Sequence, residues 1–209
     1  MQVRKEPSMS KTRTFLFDLY GVLIKEHGAA QFERVARAVG EPSKNDKLHE
    51  VYESLRLDLD AGRVSEVNYW NQIKLLVGLE FLDIQEVIAA DYRGLYERDQ
   101  DMVDYVLSLK AKGHRIGILS NIPEGLAKLL KEHNSEWLDQ LDAVTLSCDI
   151  GAAKPEPKSF HVALEALGEK AEDVTFIDDR VRNIEAAREE GLSTIHFTGL
   201  DSLKESIQE

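Results

Sequence analysis

Four short stretches of the 209-residue chain carry side chains able to do chemistry, each where an apolar run gives way to a turn. In Phe15-Leu16-Phe17-Asp18-Leu19-Tyr20-Gly21 a carboxylate follows the run and a glycine follows it closely. Asp18 either caps that turn or stands at the mouth of a crevice. In Ile116-Gly117-Ile118-Leu119-Ser120-Asn121 a small hydroxyl takes the same place. Ser120 and the amides after it either cap a helix or hold an anionic oxygen at a helix start. In Gly151-Ala152-Ala153-Lys154-Pro155-Glu156-Pro157 an ammonium sits in a loop stiffened by two prolines. Pro155 biases Lys154 toward extended backbone, and the lysine is either a surface residue or a fixed partner for phosphate or carboxylate. In Val174-Thr175-Phe176-Ile177-Asp178-Asp179 two acids end the run side by side. Adjacent carboxylates there repel and resist ionising. A helix N-terminus accounts for one of them, and a hard divalent cation such as Mg²⁺, which takes oxygen ligands, accounts for both.

Something must hold these four stretches in one place. Their apolar runs, with Ala143–Leu146 and Thr194–Phe197, are apolar at nearly every position. That pattern suits strands of a parallel sheet buried on both faces. Amphipathic helices fall between them. Met102, Val106 and Leu109 share one face, and Phe160, Ala163, Leu164 and Leu167 share another. Strand–helix alternation predicts an α/β fold with a doubly wound parallel sheet, whose ligands bind outside the carboxyl ends of its strands. From Gly28 to Glu97 the rhythm breaks into helices alone. Their stripes are Phe32, Val35, Ala36, Val39; Leu48, Val51, Tyr52, Leu55, Leu59; Val67, Trp70, Ile73, Lys74, Val77; and Ile84, Val87, Ile88. The organisation expected is an α/β core over 12–24 and 98–209, an inserted α-helical cap over 25–97 that acts as a lid, and a flexible leader over 1–11. Trp70 is expected in the cap core, His114 and His133 on the surface, His196 in or beside the last strand, and Leu200 to Ile207 as a closing helix.

Composition excludes several functions. With 26 basic and 38 acidic residues the net charge is −12. General nucleic-acid binding needs a cationic surface and is not expected. No stretch approaches the ~18 apolar residues of a membrane span. One cysteine, Cys148, allows no internal disulfide. No secretory signal opens the sequence, so the expected location is cytoplasmic, as a monomer or homodimer.

A carboxylate, a hydroxyl, a lysine and an acid pair, in that order at strand ends, resemble the haloacid dehalogenase (HAD) superfamily. The resemblance runs from about Thr14 to the C-terminus. The helical insertion resembles that superfamily's first-type cap, and the chain is similar to its phosphatase branch, which includes sugar-phosphate phosphatases and the N-terminal domain of soluble epoxide hydrolases. The resemblance implies a Rossmann-like core and a phosphatase acting on a small phosphorylated metabolite. It makes Asp18 the nucleophile that forms an aspartyl-phosphate. Ser120, with Asn121 beside it, would hold the phosphoryl oxygens, and Lys154 would neutralise charge. Mg²⁺ would bind Asp18, the Tyr20 carbonyl and Asp179, with Asp178 acting directly or through water. Asn183 would brace the acid loop.

The departure is Tyr20, where most phosphatases of the superfamily carry a second aspartate as general acid and base. A phenol, with an ordinary pKa near ~10, is a weak base at neutral pH, and its use could cost about 10²–10⁴-fold in rate. Either the substrates have good leaving groups, or Glu26 or His27 supplies the proton. Lys25 and His27, on the path into the cap, are candidates to touch the leaving group. Asp-Leu-Tyr-Gly also resembles the first motif of metal-free L-2-haloacid dehalogenases. Those enzymes, however, resemble Ser-x-Asn-x-x-Asp where this chain has Asp178-Asp179-Arg180-Val181-Arg182-Asn183. Two extra carboxylates, with no cation, would repel an anionic haloacid, like charges at ~4 Å interacting by about 4 kcal/mol at an effective dielectric of 20. A third reading is a phosphate-binding relative of low turnover.

Overall fold

The computed structural model describes residues 12–25 and 28–207. The expected leader, Glu26 and His27 lie outside the described residues.

Five parallel strands form one sheet in the order β3-β2-β1-β4-β5. They are β1 (Thr14–Phe17), β2 (Arg115–Ser120), β3 (Ala143–Leu146), β4 (Val174–Asp178) and β5 (Ser193–His196). In register, Phe17 lies across from Ile118 on one side and Ile177 on the other. The next residue, Asp18, donates its amide to the Ile177 carbonyl at 2.8 Å. The four chemistry-bearing stretches therefore come out at the same edge of the sheet. Burial on both faces holds for β1 and nearly throughout β2 and β4. It does not hold at the edges, where Val144 of β3 and both ends of β5 are exposed. Each edge strand has one neighbour in the sheet.

Helices cover both faces, and a short α7 (Ser147–Ile150) follows β3. Phe15 and Phe17 point into a core shared with α5 (Gln100–Ala111), α6 (Glu124–Leu138) and α10 (Leu200–Ile207). Leu16 and Phe176 point the other way, against α8 (Pro157–Leu167) and α9 (Val181–Glu189). This alternation along one strand is what a doubly wound sheet requires.

Between β1 and α5 the chain builds a second, separate apolar core. Its helices are α1 (Gly28–Val39), α2 (Asn45–Asp60), α3 (Glu66–Val77) and α4 (Ile84–Tyr92). Local signals set their ends: the Ser65 side chain accepts from the Asn68 amide, Asp83 accepts from Glu86, and Gly78 closes α3 at φ 79°. The chain leaves and returns on adjacent paths, since the Lys25 amide donates to Glu97 and the Asp99 amide to Leu23.

Trp70 is buried against Tyr52 and Tyr69, as expected. The α3 stripe is otherwise shifted. Val67 is 45% exposed, and Tyr69 is buried instead, because one turn of helix offers two adjacent positions to a face this wide. His114 is not on the surface: it is 4% exposed, meets the Phe15 ring edge-on, and its Nδ1 accepts the Arg13 amide at 3.1 Å. His133 is exposed and stacks on Tyr96, and His196 ends β5. Among the described residues no helix is long and apolar enough to cross a membrane.

Candidate active site

Asp18, Ser120 and the Asp178–Asp179 pair stand at or just past strand ends, and Lys154 comes from the loop between α7 and α8. The Asp18 carboxylate turns back to accept its neighbour's amide, Leu19 N–H, at 2.6 Å. The same oxygen meets the Lys154 Nζ at 2.7 Å. Lys154 also reaches Asp178 Oδ2 at 2.8 Å. Lys154 is 1% exposed and Asp178 fully buried, so the surface alternative for the lysine is excluded. The ammonium is shared between two carboxylates away from water, where such contacts are strong.

Asp178 is held on all sides. It accepts the Arg180 amide at 2.7 Å and Asn183 Nδ2 on both oxygens, at 3.1 and 2.9 Å. Helix α9 begins only at Val181, so the acid pair precedes the helix and does not belong to its first turn. Burial pushes the Asp18 carboxyl well above the ordinary range; Lys154 opposes this and the Asp178 charge adds to it. Burial acts on Asp178 too, but there Lys154, the Arg180 amide and Asn183 prevail and hold the acid below its usual value. Burial works against the Lys154 ammonium, but the Asp18 and Asp178 carboxylates prevail and hold it above its usual range.

Asp179 joins the pair. Asp18, Asp178 and Asp179 each place a carboxylate oxygen within 4.8 Å of the others. Gly21 makes this approach possible. Its φ is 82°, which strains any larger residue, and a Cβ there would stand 2.5 Å from Asp179 Oδ2, so that the Asp179 carboxylate would have to move. Three converging acids against one lysine leave an excess of negative charge among oxygen donors. That donor set fits a hard divalent cation.

Ser120 is buried at the end of β2, and the helix that follows is capped at Pro123. It is therefore not the cap of that helix. Asn121 differs from expectation in emphasis. Its side chain is engaged by the Lys154 backbone, accepting the amide at 2.7 Å and donating to the carbonyl at 2.8 Å. Only its main chain is left to face a ligand, and its side chain anchors the lysine loop. The Lys154–Pro155 peptide is cis.

Tyr20 packs against the core cluster of the sheet from the turn after β1. Its hydroxyl is buried with no hydrogen-bond partner among the described residues, and burial pushes the phenol pKa up. Lys25 is exposed and shares a cleft of about 580 Å³ with Gly21, Asp99, Asp101, Asp179 and Phe197.

Sequence reasoning missed the residues that seat the cap on this site. Ser147 accepts the Ile122 amide at 2.8 Å and donates to the Asp60 carbonyl at the end of α2. Glu66 Oε1 accepts the Gly125 amide at 2.6 Å and the Tyr92 hydroxyl at 3.2 Å. Arg63 pairs with Glu156. All join segments far apart in the chain and carry no local signature.

A doubly wound sheet with strand-end acids, a buried lysine and an inserted helical cap defines a hydrolase-type α/β enzyme class. The family model for haloacid dehalogenase-like hydrolases matches residues 12–191, and the chain belongs to that family. It is 28% identical over 147 residues to a sesquiterpene phosphatase of Aspergillus oryzae, covering 69% of this chain and 71% of that one. It is 26% identical over 190 residues to a D-ribitol-5-phosphate phosphatase of Bacteroides thetaiotaomicron, covering 87% and 90%. A HAD-family enzyme from the same bacterium has the same fold, with a TM-score of 0.78 at 23% identity over 95% of this chain and 99% of that one. Its complex with magnesium and inorganic phosphate superposes with a TM-score of 0.70 at 24% identity, over 88% and 93%.

Proposed function

We propose that the protein is a Mg²⁺-dependent phosphatase that hydrolyses a small phosphorylated metabolite through an aspartyl-phosphate on Asp18. The observation that carries this reading is the convergence of Asp18, Asp178 and Asp179 around one point, with Lys154 bridging two of them. Phosphatases among the curated relatives support it.

Asp18, Asp179 and the Tyr20 carbonyl would hold the cation, which supplies charge to bring the phosphoryl oxygens and the carboxylate together. Asp178 already serves Lys154, the Arg180 amide and Asn183, so its main part is to position the lysine and add its charge. Asn183 braces it. Lys154 and Ser120 bind the phosphoryl oxygens, joined by amides of the turn at Asn121. A carboxylate oxygen of Asp18 forms a bond to phosphorus as the ester P–O bond breaks, and the leaving oxygen takes a proton from solvent water. Water then attacks the same phosphorus, the Asp18 oxygen leaves, and inorganic phosphate and the free carboxylate result. Stabilising the charge of this transfer is the larger part of such catalysis.

The retained acid pair also sets this reading above a metal-free dehalogenase. Phosphate release from a panel of phosphomonoesters, dependent on Mg²⁺ and abolished by EDTA, tests it. Halide release from 2-chloropropionate in EDTA, with no phosphate release in Mg²⁺, would replace it.

A further inference from the structure

The turn that would hold the phosphoryl oxygens runs from Ser120, at the end of β2, into the first turn of α6. Along it, the Asn121 side chain bonds the Lys154 backbone, and the Ile122 amide donates to Ser147 at 2.8 Å. Those partners belong to the core. The next fixed point does not. The Gly125 amide, in the first turn of α6, donates to Glu66 Oε1 at 2.6 Å. Glu66 is the first residue of α3, in the cap.

The sequence explains why α6 takes a carboxylate from so far away. The first amides of a helix have no partner inside it, and a side-chain oxygen at the cap position commonly serves one of them. Pro123 stands at the cap position of α6 and has no such oxygen. Glu66 supplies it. A carboxylate suits the positive end of the helix dipole, and a hydrogen bond to an ionised acceptor is among the stronger kinds. An acid in the first turn of α3 would ordinarily serve its own helix. There, however, Ser65 already caps α3 through the Asn68 amide, and Glu66 turns to α6.

The contact is close and held from two sides. A Cβ on Gly125 would stand 2.7 Å from Glu66 Oε1 and 3.2 Å from the Tyr92 ring. The Tyr92 hydroxyl, at the end of α4, donates to the same Glu66 oxygen at 3.2 Å. Neighbours of Glu66 in the cap segment 60–66 reach the same edge of the core. The Asp60 carbonyl accepts the Ser147 hydroxyl that holds Ile122, and Arg63 pairs with Glu156, two residues past Lys154. One segment of the cap thus braces both loops that carry the candidate phosphate ligands.

We propose that Glu66 is a positioning residue for phosphate: by capping α6 from the cap, it holds the Ser120–Asn121 turn in the geometry that binds the phosphoryl group. The inference rests on the phosphatase reading above. Its effect is independent of the leaving group, because the turn meets oxygens on phosphorus and nothing beyond them. A misplacement of about 1 Å in groups that hold a reacting centre can cost about 10²-fold. The Glu66 charge by itself would act in the opposite sense and repel an anion, so the sign of the effect separates bracing from simple electrostatics.

Phosphate affinity is read by calorimetry in saturating Mg²⁺, with inorganic phosphate as the probe, on wild type, Glu66→Ala and Glu66→Gln. Glu66→Ala is expected to weaken phosphate binding about tenfold. Glu66→Gln keeps an acceptor oxygen and is expected to stay within about threefold of wild type. In turnover, KM in Glu66→Ala should rise by the same factor for p-nitrophenyl phosphate and for an alkyl phosphate. Loss of folded protein lowers stoichiometry and apparent kcat but leaves Kd and KM unchanged, so a merely structural role gives a different pattern. Unchanged or tighter phosphate binding by Glu66→Ala, a Glu66→Gln as weak as Glu66→Ala, or a KM that rises for one ester alone would overturn the role of Glu66 and leave the phosphatase reading standing. Expected shifts in phosphate binding without turnover of any monoester by wild type would uphold the brace and overturn the phosphatase reading. A wild type that binds no phosphate would overturn both.

Discussion

At the scale of single residues, Lys154 decides the character of the site. One buried ammonium faces two carboxylates, at 2.7 and 2.8 Å, in a chain whose net charge is −12. On the phosphatase reading it is the local exception that lets an acidic protein accept an anionic substrate. Asp18→Asn keeps the shape of the side chain and removes the nucleophile. Turnover of any phosphomonoester is expected to fall by at least about 10³-fold, by analogy with loss of other nucleophiles acting in a unit; full activity in this variant would remove Asp18 from the mechanism. Tyr20 sets a second expectation. Its phenol is pushed above its ordinary range by burial and cannot exchange protons at neutral pH as a matched acid would. Protonation of the leaving group is then poorly assisted. Aryl phosphates should outpace alkyl phosphates by roughly 10²–10⁴-fold in kcat/KM, and a flat dependence on leaving-group pKa would show that another group supplies the proton. Both residues were legible in the sequence, because strand-end position and motif order are local properties. The burial of His114 was not, since it depends on Arg13 and Phe15 meeting it from another strand.

At the scale of elements, the joint between α2 and the core is where cap and catalytic edge are coupled. The Ser147 hydroxyl serves the Asp60 carbonyl on one side and the Ile122 amide on the other. Next to it, Gly62 turns at φ 66°, and a Cβ there would stand 2.7 Å from the Cys148 carbonyl oxygen. Backbone meets backbone, with no flexible side chain to yield. Ser147→Ala leaves two main-chain groups without their partner, at a cost of about 1–3 kcal/mol. For a chain of this size that lowers Tm by roughly 2–12 °C. Hydrogen exchange should rise first at Ile122 and in the last turn of α2; a uniform rise across the sheet would mean that the hydroxyl serves the core alone. Sequence periodicity finds α2 well, since Leu48, Tyr52 and Leu59 are all buried on its inner face. It does not find that Arg56 turns inward to pair with Asp60 and the buried Asp91, because a charged pair one turn apart reads equally as a solvated face. The edge strands fail for a related reason. The run Thr194–Phe197 looks like a buried strand, but its exposure is set by β5 having one neighbour, which composition does not encode.

At the scale of the molecule, the apolar cores on the two faces of the sheet and the one inside the cap are joined across the crevice by polar contacts as well as apolar ones: Ser147 to Asp60, Glu66 to Gly125 and Arg63 to Glu156. Such contacts hold position with less apolar area than a domain core, so the pair of lobes should respond to what binds between them. The acids that meet at that crevice belong to the core, and their mutual repulsion is the part of the fold that a cation relieves most directly. A ligand that binds only the native state stabilises it by RT ln(1 + [L]/Kd), about 2.7 kcal/mol at a hundredfold excess over Kd. At ~2–4 °C per kcal/mol for a chain of this length, saturating Mg²⁺ should raise the apparent Tm by roughly 5–11 °C. Part of any such rise in an acidic protein comes from screening alone, so NaCl at matched ionic strength is the reference. The rise beyond that reference should vanish in Asp179→Asn, which removes one donor while leaving Lys154, Asp18 and Asp178 in their contacts. An equal response of wild type to the two salts, or an undiminished Mg²⁺ response in the variant, would mean that these three carboxylates do not act together on a metal.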